Sequence, residues 1–328
     1  MKQRLFFSKI NQENVLTLED KLINTSSICI INKDYDVKCL RMLNELLVKY
    51  SEILVLYEIE TKKLLEEGDL SALQYLSNVQ NLCIAVNMGI ISTLDQLGNI
   101  KHLESLELMN RFKKGISLEV LNKFTTLKHF RIESGITNKQ HQFLNIQNSL
   151  KILRVSSLDL SKLSINPFMK ILLISKELKS AELLNAVFPN LRTLMLERCN
   201  KLNLEDTISS LDLKAIRLGH ISTVEKLPIF KYANNIELFQ CVGLKKLTDV
   251  NSIFSMTNLK ALMITELVDI NADIFIERLK ELKFLKVAYI TFKKASESDR
   301  IYNYCCENGL HFKQPGLVDS ERFGLYSL

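Results

Sequence analysis

The chain has 328 residues, of which 47% are hydrophobic, and its 43 basic and 37 acidic residues give a formal net charge of +6. No stretch approaches the ~18 uninterrupted apolar residues of a membrane-spanning helix. The ten Gly and four Pro form no flexible linker. The small basic excess contains no Lys or Arg run longer than two, which argues against the continuous basic stripe of a nucleic-acid-binding protein.

The amino-terminal segment reads M-K-Q-R-L-F-F-S, with too few successive apolar residues for a secretory signal. We therefore expect the protein to be cytoplasmic. Residues 1–24 are predicted to cap the first repeat. Leu5, Phe6 and Phe7 would then cover apolar residues at this end, namely Ile31, Val55, Tyr57, Cys83 and Ala85. The alternative is that these apolar residues stay exposed and form an interaction patch.

A short apolar pattern dominates residues 25–290. The segment Asn190–Leu196 reads N-L-R-T-L-M-L, and the pattern leucine, two variable residues, apolar, variable, apolar returns about every 23 residues, about twelve times in all. We take the second apolar position as a marker and place it at Ile28, Leu54, Leu82, Leu106, Phe130, Leu153, Ile171, Leu194, Ile216, Ile236, Leu262 and Leu285. Alternation of this kind predicts short strands that must stack to bury one face.

Several segments between these strands have helical spacing. Asp36–Tyr50 is predicted to be a helix capped by Asp36, and Asn271–Leu282 a helix capped by Asn271 or Asp273. Leu118–Phe124 is predicted to be a shorter helix. The segment Ile165–Leu173 contains Pro167 and is too short for a helix and two turns, so we expect an extended or single-turn return.

Residues 291–328 are predicted to form a carboxy-terminal cap. Ser296–Asn308 should be a helix capped by Ser296 or Ser298, with Gly309 just beyond its end. Leu310–Phe312 would add a last strand. The tail after Pro315 is apolar enough to dock, through Phe323, Leu325, Tyr326 and Leu328.

The pattern resembles the leucine-rich repeat superfamily, in Leu191-x-x-Leu194-x-Leu196-x-x-Cys199 and in Asn235-Ile236-x-Leu238-x-x-Cys241. That family has Asn or Cys three residues after the last apolar position, as at Asn87, Cys199 and Cys241. Other repeats depart from it, at Arg111, Gly135, Leu158, Ile221 and Leu267. The resemblance implies an α/β fold of one continuous domain. This would be a right-handed leucine-rich repeat solenoid, a horseshoe or irregular arc, with a parallel β-sheet on the concave face and mixed helical and extended convex segments.

No catalytic or metal-binding pattern is present in the sequence. The five histidines form no His-x-x-x-His pair, and there is no Gly-rich phosphate loop and no Gly-x-Ser-x-Gly motif. The seven cysteines are odd in number and scattered, which disfavours a disulfide framework. Of the adjacent Cys305 and Cys306, one should face the core and the other the solvent. We expect a protein that is not an enzyme and binds no cofactor or metal.

The concave face is predicted from the positions one before, one after and three after each marker. Its central row would be Cys29, Val55, Cys83, Glu107, Arg131, Arg154, Leu172, Met195, Arg217, Glu237, Met263 and Lys286. We expect ion pairs of Arg131 with Glu107 and of Arg217 with Glu237. The predicted partner-binding residues are Tyr57, Glu107, Met109, His129, Arg131, Glu133, Arg154, Met195, Glu197, Arg217, Glu237, Phe239, Met263, Phe284 and Lys286.

These residue types favour a protein partner, because Arg, Met and aromatic side chains are enriched at protein interfaces. The narrower hypothesis is a bacterial immunity or inhibitor-type protein. The alternatives are a scaffold or substrate-recognition adaptor, since Cys199 and Cys241 resemble the cysteine-containing repeat subtype, and a weak nucleic-acid binder.

Overall fold

The chain divides into two units, Met1–Ser156 with Lys162–Phe168, and Ser157–Ser161 with Met169–Leu328. The computed structural model describes residues 3–7 (backbone only), 19, 22–23, 25–32, 35–267 and 270–315. In each unit the strands are parallel, and each strand pairs with the next one along the chain.

The sheet of the first unit contains β1 to β7. Its strands are β1 (Gln3–Phe7), β2 (Thr25–Ile31), β3 (Leu54–Glu60), β4 (Asn81–Ile91), β5 (Ser105–Phe112), β6 (His129–Ile132) and β7 (Ile152–Asp159), the last of which continues past the unit boundary. The returns contain helices α1 (Val37–Lys49) and α2 (Asn138–Ile146), and 3-10 turns at Ser71–Tyr75, Asp95–Asn99 and Glu119–Lys123.

The second unit repeats the same plan with β8 to β14. Its strands are β8 (Ile171–Lys179), β9 (Thr193–Glu197), β10 (Ala215–Gly219), β11 (Leu238–Val242), β12 (Ala261–Leu267), β13 (Val287–Phe292) and β14 (His311–Phe312). Its helices are α3 (Leu184–Val187), α4 (Leu204–Ile208), α5 (Ala272–Leu279) and α6 (Ala295–Glu307), and its 3-10 turns are Ala181–Leu183, Ala233–Asn235 and Asn251–Ser255. A further 3-10 turn, Leu160–Lys162, has residues in both units.

One apolar ladder in each unit forms the centre of the core. In the first unit it consists of Ile28, Val55, Leu82, Leu106, Phe130 and Leu153, which face one another across neighbouring strands and are at most 1% exposed. In the second unit the ladder is fully buried and consists of Leu172, Leu194, Ile216, Phe239, Leu262 and Ala288. One core residue of this kind per strand and repeat confirms the predicted α/β repeat fold.

The predicted register is wrong in four strands. In β3 and β8 the core residues are Val55 and Leu172, one position after the predicted Leu54 and Ile171. In β11 and β13 they are Phe239 and Ala288, three positions after Ile236 and Leu285. Because side chains alternate along a strand, each odd shift exchanges the two faces. The sequences of β3 and β8 are apolar at successive positions, so alternation gives no signal there.

The helix predictions are partly confirmed. Helix α1 begins after Asp36, whose carboxylate accepts from the Lys38 and Cys39 amides at 2.7 and 3.2 Å. Helix α5 follows Asn271 in the same manner. Leu118–Phe124, in contrast, forms a 3-10 turn over Glu119–Lys123. The return around Pro167 has one 3-10 turn at Leu160–Lys162 and otherwise no helix, as predicted. The sequence patterns missed α2, α3 and α4.

The structure also tests the predicted carboxy-terminal elements. Helix α6 and strand β14 are present, and Gly309 has the positive φ of +69° that suits a residue just after a helix. The serine caps are wrong, because the helix begins at Ala295 and the Ser298 hydroxyl instead accepts from the Phe292 amide at 2.8 Å.

Two predicted features lie largely outside the described residues. One is the tail after Pro315, and the other is most of the 1–24 cap, of which residues 3–7 form β1. Among the described residues, no helix is both long enough and apolar enough to cross a bilayer.

The register can be tested with two phenylalanines of the second unit. Phe239 is fully buried, with its ring 5.9 Å from that of Phe230, whereas Phe284 is 57% exposed. Phe239→Ala should lower the free energy of unfolding by about 3–5 kcal/mol through the cavity that it leaves. Phe284→Ala should change it by less than about 0.5 kcal/mol. Urea denaturation followed by circular dichroism measures both values, and equal effects would contradict the register.

Candidate functional site

The open face of each sheet is the face opposite the apolar ladder, and it is the candidate site. Its middle row in the first unit is Cys29, Leu56, Cys83, Glu107, Arg131 and Arg154. In the second unit the row is Leu173, Met195, Arg217, Gln240, Met263 and Tyr289. The predicted site residues on this face are Glu107, Met109, His129, Arg131, Glu133, Arg154, Met195, Glu197, Arg217 and Met263.

Five predicted site residues are elsewhere. Tyr57 and Phe239 are fully buried in the core. Burial raises the pKa of the Tyr57 hydroxyl, which donates to the Asp69 carbonyl at 3.2 Å. Glu237, Phe284 and Lys286 precede their strands. Leu56, Leu173, Gln240 and Tyr289 therefore occupy the middle-row positions that we predicted for Val55, Leu172, Glu237 and Lys286. The correct register of β3, β8, β11 and β13 would have placed these four residues in the middle row.

The amino-terminal part of the open face is apolar and buried. The cluster consists of Cys29, Leu54, Leu56, Cys83 and Ala85, each at most 8% exposed, with Met109 packed against it. Of the five residues named for the exposed-patch alternative, Val55, Tyr57, Cys83 and Ala85 are buried and Ile31 is partly exposed, so these residues do not form an exposed apolar patch. Their predicted cover by residues 1–24 stays a prediction, since most of that segment lies outside the described residues.

A charged network occupies the open face at β5 and β6. The Arg131 guanidinium lies 3.3 Å from a Glu107 carboxylate oxygen and 2.8 Å from one of Glu133, which confirms the predicted pair with Glu107. The side chains of Arg131 and Glu107 are only 15% and 7% exposed, whereas Glu133 is 36% exposed. Glu133 also accepts from the Asn110 amide at 3.0 Å. The network therefore places one guanidinium between two carboxylates on this face.

Polar side chains continue on both sides of this network. His129 Nδ1 lies 3.0 Å from the Ser105 hydroxyl on the neighbouring strand. Arg154 faces Arg131 across the β6–β7 pair and is partly exposed. Together with the partly buried Met109, this part of the face offers donors, acceptors and an apolar contact to a ligand.

The second unit has a smaller network around Arg217. Its guanidinium lies 3.0 Å from Glu197 and also donates to the Gln240 carbonyl oxygen at 3.3 Å. The predicted pair of Arg217 with Glu237 is wrong, because Glu237 lies in the turn before β11 and pairs with Lys260 at 2.7 Å. Glu197, on the adjacent strand β9, is the partner of Arg217 that we predicted Glu237 to be.

The buried cysteines have structural surroundings. Cys199 is 1% exposed, its Sγ lies 3.3 Å from the Glu197 carbonyl, and desolvation raises its pKa to about 12. Cys241 aligns with Leu218 and Ile264 in the core, so it is not at the Asn/Cys position, where Leu244 stands instead. Burial also raises the pKa of Cys241. Cys305 is buried and Cys306 exposed, as predicted.

Among the residues that the structure describes, no group of three or more His, Cys, Asp or Glu side chains is arranged to hold a metal ion. A cavity of about 710 Å³ lies on the return side of the first unit, between the Glu119 turn and α2. Its lining includes Ser117, Glu119, Lys139, Gln140 and Phe143.

The comparisons with known proteins found structural similarity alone. No family model matches the chain, and no curated protein matches its sequence. An internalin (inlF) from Listeria monocytogenes str. 4b F2365 is 16% identical and has a TM-score of 0.44, over 83% of this chain and 82% of its own. A Leptospira interrogans LRR protein is 11% identical and has a TM-score of 0.34, over 94% and 93%.

The class of the protein follows from its own geometry. Each repeat of the sequence supplies one strand to a parallel sheet and one residue to a continuous apolar ladder, and a short helical or extended return completes it. This is the architecture of a leucine-rich repeat solenoid. Stacked repeats of this kind leave one sheet face available for side chains that are not needed by the core.

The corrected partner of Arg217 can be tested by double-mutant cycles. Arg217 and Glu197 are 25% and 18% exposed, so their ion pair should couple by about 1 kcal/mol in the free energy of unfolding. The matched cycle of Arg217 with Glu237 should give less than about 0.3 kcal/mol, because these residues share no contact. Alanine substitutions and urea denaturation provide both values. A larger coupling to Glu237 would restore the original prediction.

Thiol accessibility gives a second test. Iodoacetamide should alkylate the native protein once, at Cys306, because the other six cysteines are buried. The raised pKa of Cys199, Cys241 and Cys305 keeps these three thiols protonated at pH 8, which slows alkylation further. Intact-mass measurement should show one adduct in buffer and seven in denaturant. Cys306→Ser should remove the native adduct, and rapid modification of Cys199 would contradict its burial.

Proposed function

We propose that this chain is a non-enzymatic protein-binding module whose partner docks on the open face of β5 to β7. The observation that most supports the proposal is the Glu107–Arg131–Glu133 network, whose charges are held by contacts of 3.3 and 2.8 Å on a sheet surface. Core packing does not require charged residues on that face. Groups that are already fixed lose little conformational entropy when a partner binds, and this favours affinity and specificity.

The composition of this surface supports a protein partner. Arg131, Arg154, Met109 and His129 combine charged, apolar and aromatic character on neighbouring strands. Arg and Met are enriched at protein interfaces, and Arg is one of the residue types that most often dominate binding energy. A small-molecule site would instead be expected in a concave, mostly apolar pocket.

Nucleic-acid binding is less well supported. Phosphate recognition needs basic side chains that are available for ionic contacts. Here Arg131 lies between two carboxylates, and Arg217 is paired with Glu197. A phosphate that approached either guanidinium would also meet the charge of the neighbouring glutamate, so the network opposes a polyanion.

A narrower form of the proposal is a bacterial immunity or inhibitor-type protein that acts in the cytoplasm. The rigid charge network supports it, because an inhibitor gains from a preorganised surface that is complementary to one partner. The proposal then requires that the bound partner lose its activity. The scaffold or adaptor role differs, since there the partner would stay active in the complex.

Charge reversal tests the proposed surface. Arg154→Glu, in the full chain, should weaken partner capture from a lysate of the native host at least about tenfold, because Arg residues in interfaces commonly contribute more than about 1.4 kcal/mol. Lys139→Glu is the matched control, with the same change of charge on an exposed residue of α2. Quantitative mass spectrometry of the captured proteins measures the effect.

Both variants should retain the wild-type circular dichroism spectrum. Equal capture by wild-type protein and Arg154→Glu would contradict docking at β5 to β7. Reproducible turnover of a small molecule in the absence of any protein partner would overturn the non-enzymatic assignment.

A further inference from the structure

A small cavity in the second unit lies between the end of β8 and the turn that follows β9. Its volume is about 240 Å³, and it is lined by three cationic side chains, those of Lys176, Arg198 and Lys201, and by one carboxylate, that of Glu177. Pockets for drug-sized ligands have volumes of ~300–1,000 Å³. The cavity therefore suits a smaller ligand, and its excess of positive charge favours an anion.

Two of the three cations have no carboxylate partner within the described part of the chain. Neither the Lys176 amine nor the Arg198 guanidinium takes part in an ion pair there, and both residues are exposed. The arginines of the open face differ in this respect, since Arg131 and Arg217 both lie against glutamates. The positive charge at the cavity is thus available to a ligand.

The carboxylate at the cavity is only weakly compensated. Glu177 lies 3.7 Å from Lys201 and 3.8 Å from Lys179, and the side chains of these lysines are 90% and 61% exposed. Ion pairs between exposed side chains are weak, so both amines can turn to a stronger partner. With Lys179 beside it, the cavity has four cations close to one carboxylate, and a doubly charged anion would reduce this imbalance.

The turn after β9 adds a neutral donor. The Asn200 side-chain oxygen accepts from the Ser222 amide at 2.7 Å and from the Ser222 hydroxyl at 3.1 Å, and the Asn200 backbone carbonyl accepts from the Thr223 hydroxyl at 3.1 Å. These contacts hold the turn and leave the Asn200 amino group as a donor at the cavity. Ammonium, guanidinium and amide donors together match the oxygens of a phosphate or sulfate group.

We propose that this cavity binds the phosphate or sulfate group of a small anionic ligand. The Arg198 guanidinium offers two parallel N–H donors to two of its oxygens, while Lys176 and Lys201 act as point charges. Acidic Glu205 and Asp206 follow the turn in α4, which disfavours a nucleic acid that extends beyond the cavity. The inference concerns the second unit alone and stands independently of the proposed docking surface on β5 to β7.

Titration of the full chain with inorganic phosphate tests the inference. At about pH 7.5 phosphate is mostly a dianion. Nitrogen–proton correlation NMR spectra, recorded at constant ionic strength, should show saturable shifts of the Arg198 Nε–H and Asn200 amino signals. Arg198→Gln should weaken binding at least about fivefold, because it removes charge-assisted hydrogen bonds. Glu177→Gln should instead tighten binding about threefold, because it removes the carboxylate that repels the anion.

The controls separate this site from general attraction to a basic surface. Lys245→Gln removes one exposed cation of the same unit that does not line the cavity, and it should leave binding within about 1.5-fold of the wild type. Every variant should keep the wild-type circular dichroism spectrum. Phenyl phosphate should compete with inorganic phosphate at the same signals, whereas a single-stranded oligonucleotide should not.

Four results would overturn the inference. The phosphate-induced shifts do not saturate; Lys245→Gln weakens binding as much as Arg198→Gln; Glu177→Gln leaves the affinity unchanged or lower; or the oligonucleotide moves these signals while phosphate and phenyl phosphate do not, which would make a polymer the ligand.

Discussion

The parallel hydrogen-bond ladder between successive strands is the constraint on which the rest of the molecule depends. It places one residue of each repeat beside the corresponding residue of the next. This builds the buried apolar ladders that contain Leu106 and Leu194. Once the register of a strand is fixed, alternation assigns every neighbouring side chain to the core or to the open face. The charged network at Arg131 exists because Glu107 and Arg131 share a register position on adjacent strands.

How much of the fold the sequence predicts depends on how strongly each strand alternates. In β5 and β6, polar Glu107 and Arg131 alternate with buried apolar residues, and the predicted faces are confirmed. In β3 both faces are apolar, since Leu54 and Leu56 lie on the open face as members of a buried apolar cluster. The alternation of polar and apolar residues then does not show which face is buried, and Tyr57 is predicted to lie on the wrong face. Turn residues such as Ile236 also mimic a strand position because they are buried.

The candidate site shows a second limit of the sequence. From residue types alone, Arg217 is expected to pair with the glutamate predicted on the neighbouring strand. Because the predicted register of β11 is wrong, that glutamate is Glu237. The actual pair with Glu197 depends on the register between β10 and the adjacent strand β9, which only the sheet supplies. Gln240 is a similar case, since its amino group donates to the carbonyl of Pro315, which is distant in sequence. Periodicity has no means of predicting such a contact.

The shortness of β14 has a consequence for the association of these molecules. A sheet edge with unpaired amides and carbonyls can serve as a template for strands of other molecules, and long, flat edges promote aggregation. Here the last strand among the described residues is only His311–Phe312, and the Lys313 amide donates to the His311 carbonyl at 3.1 Å. The chain leaves the plane of the sheet before a longer ladder can form. Within the described residues, an incoming strand would find only this two-residue strand to pair with, and so short an edge disfavours growth of the sheet by end-to-end addition.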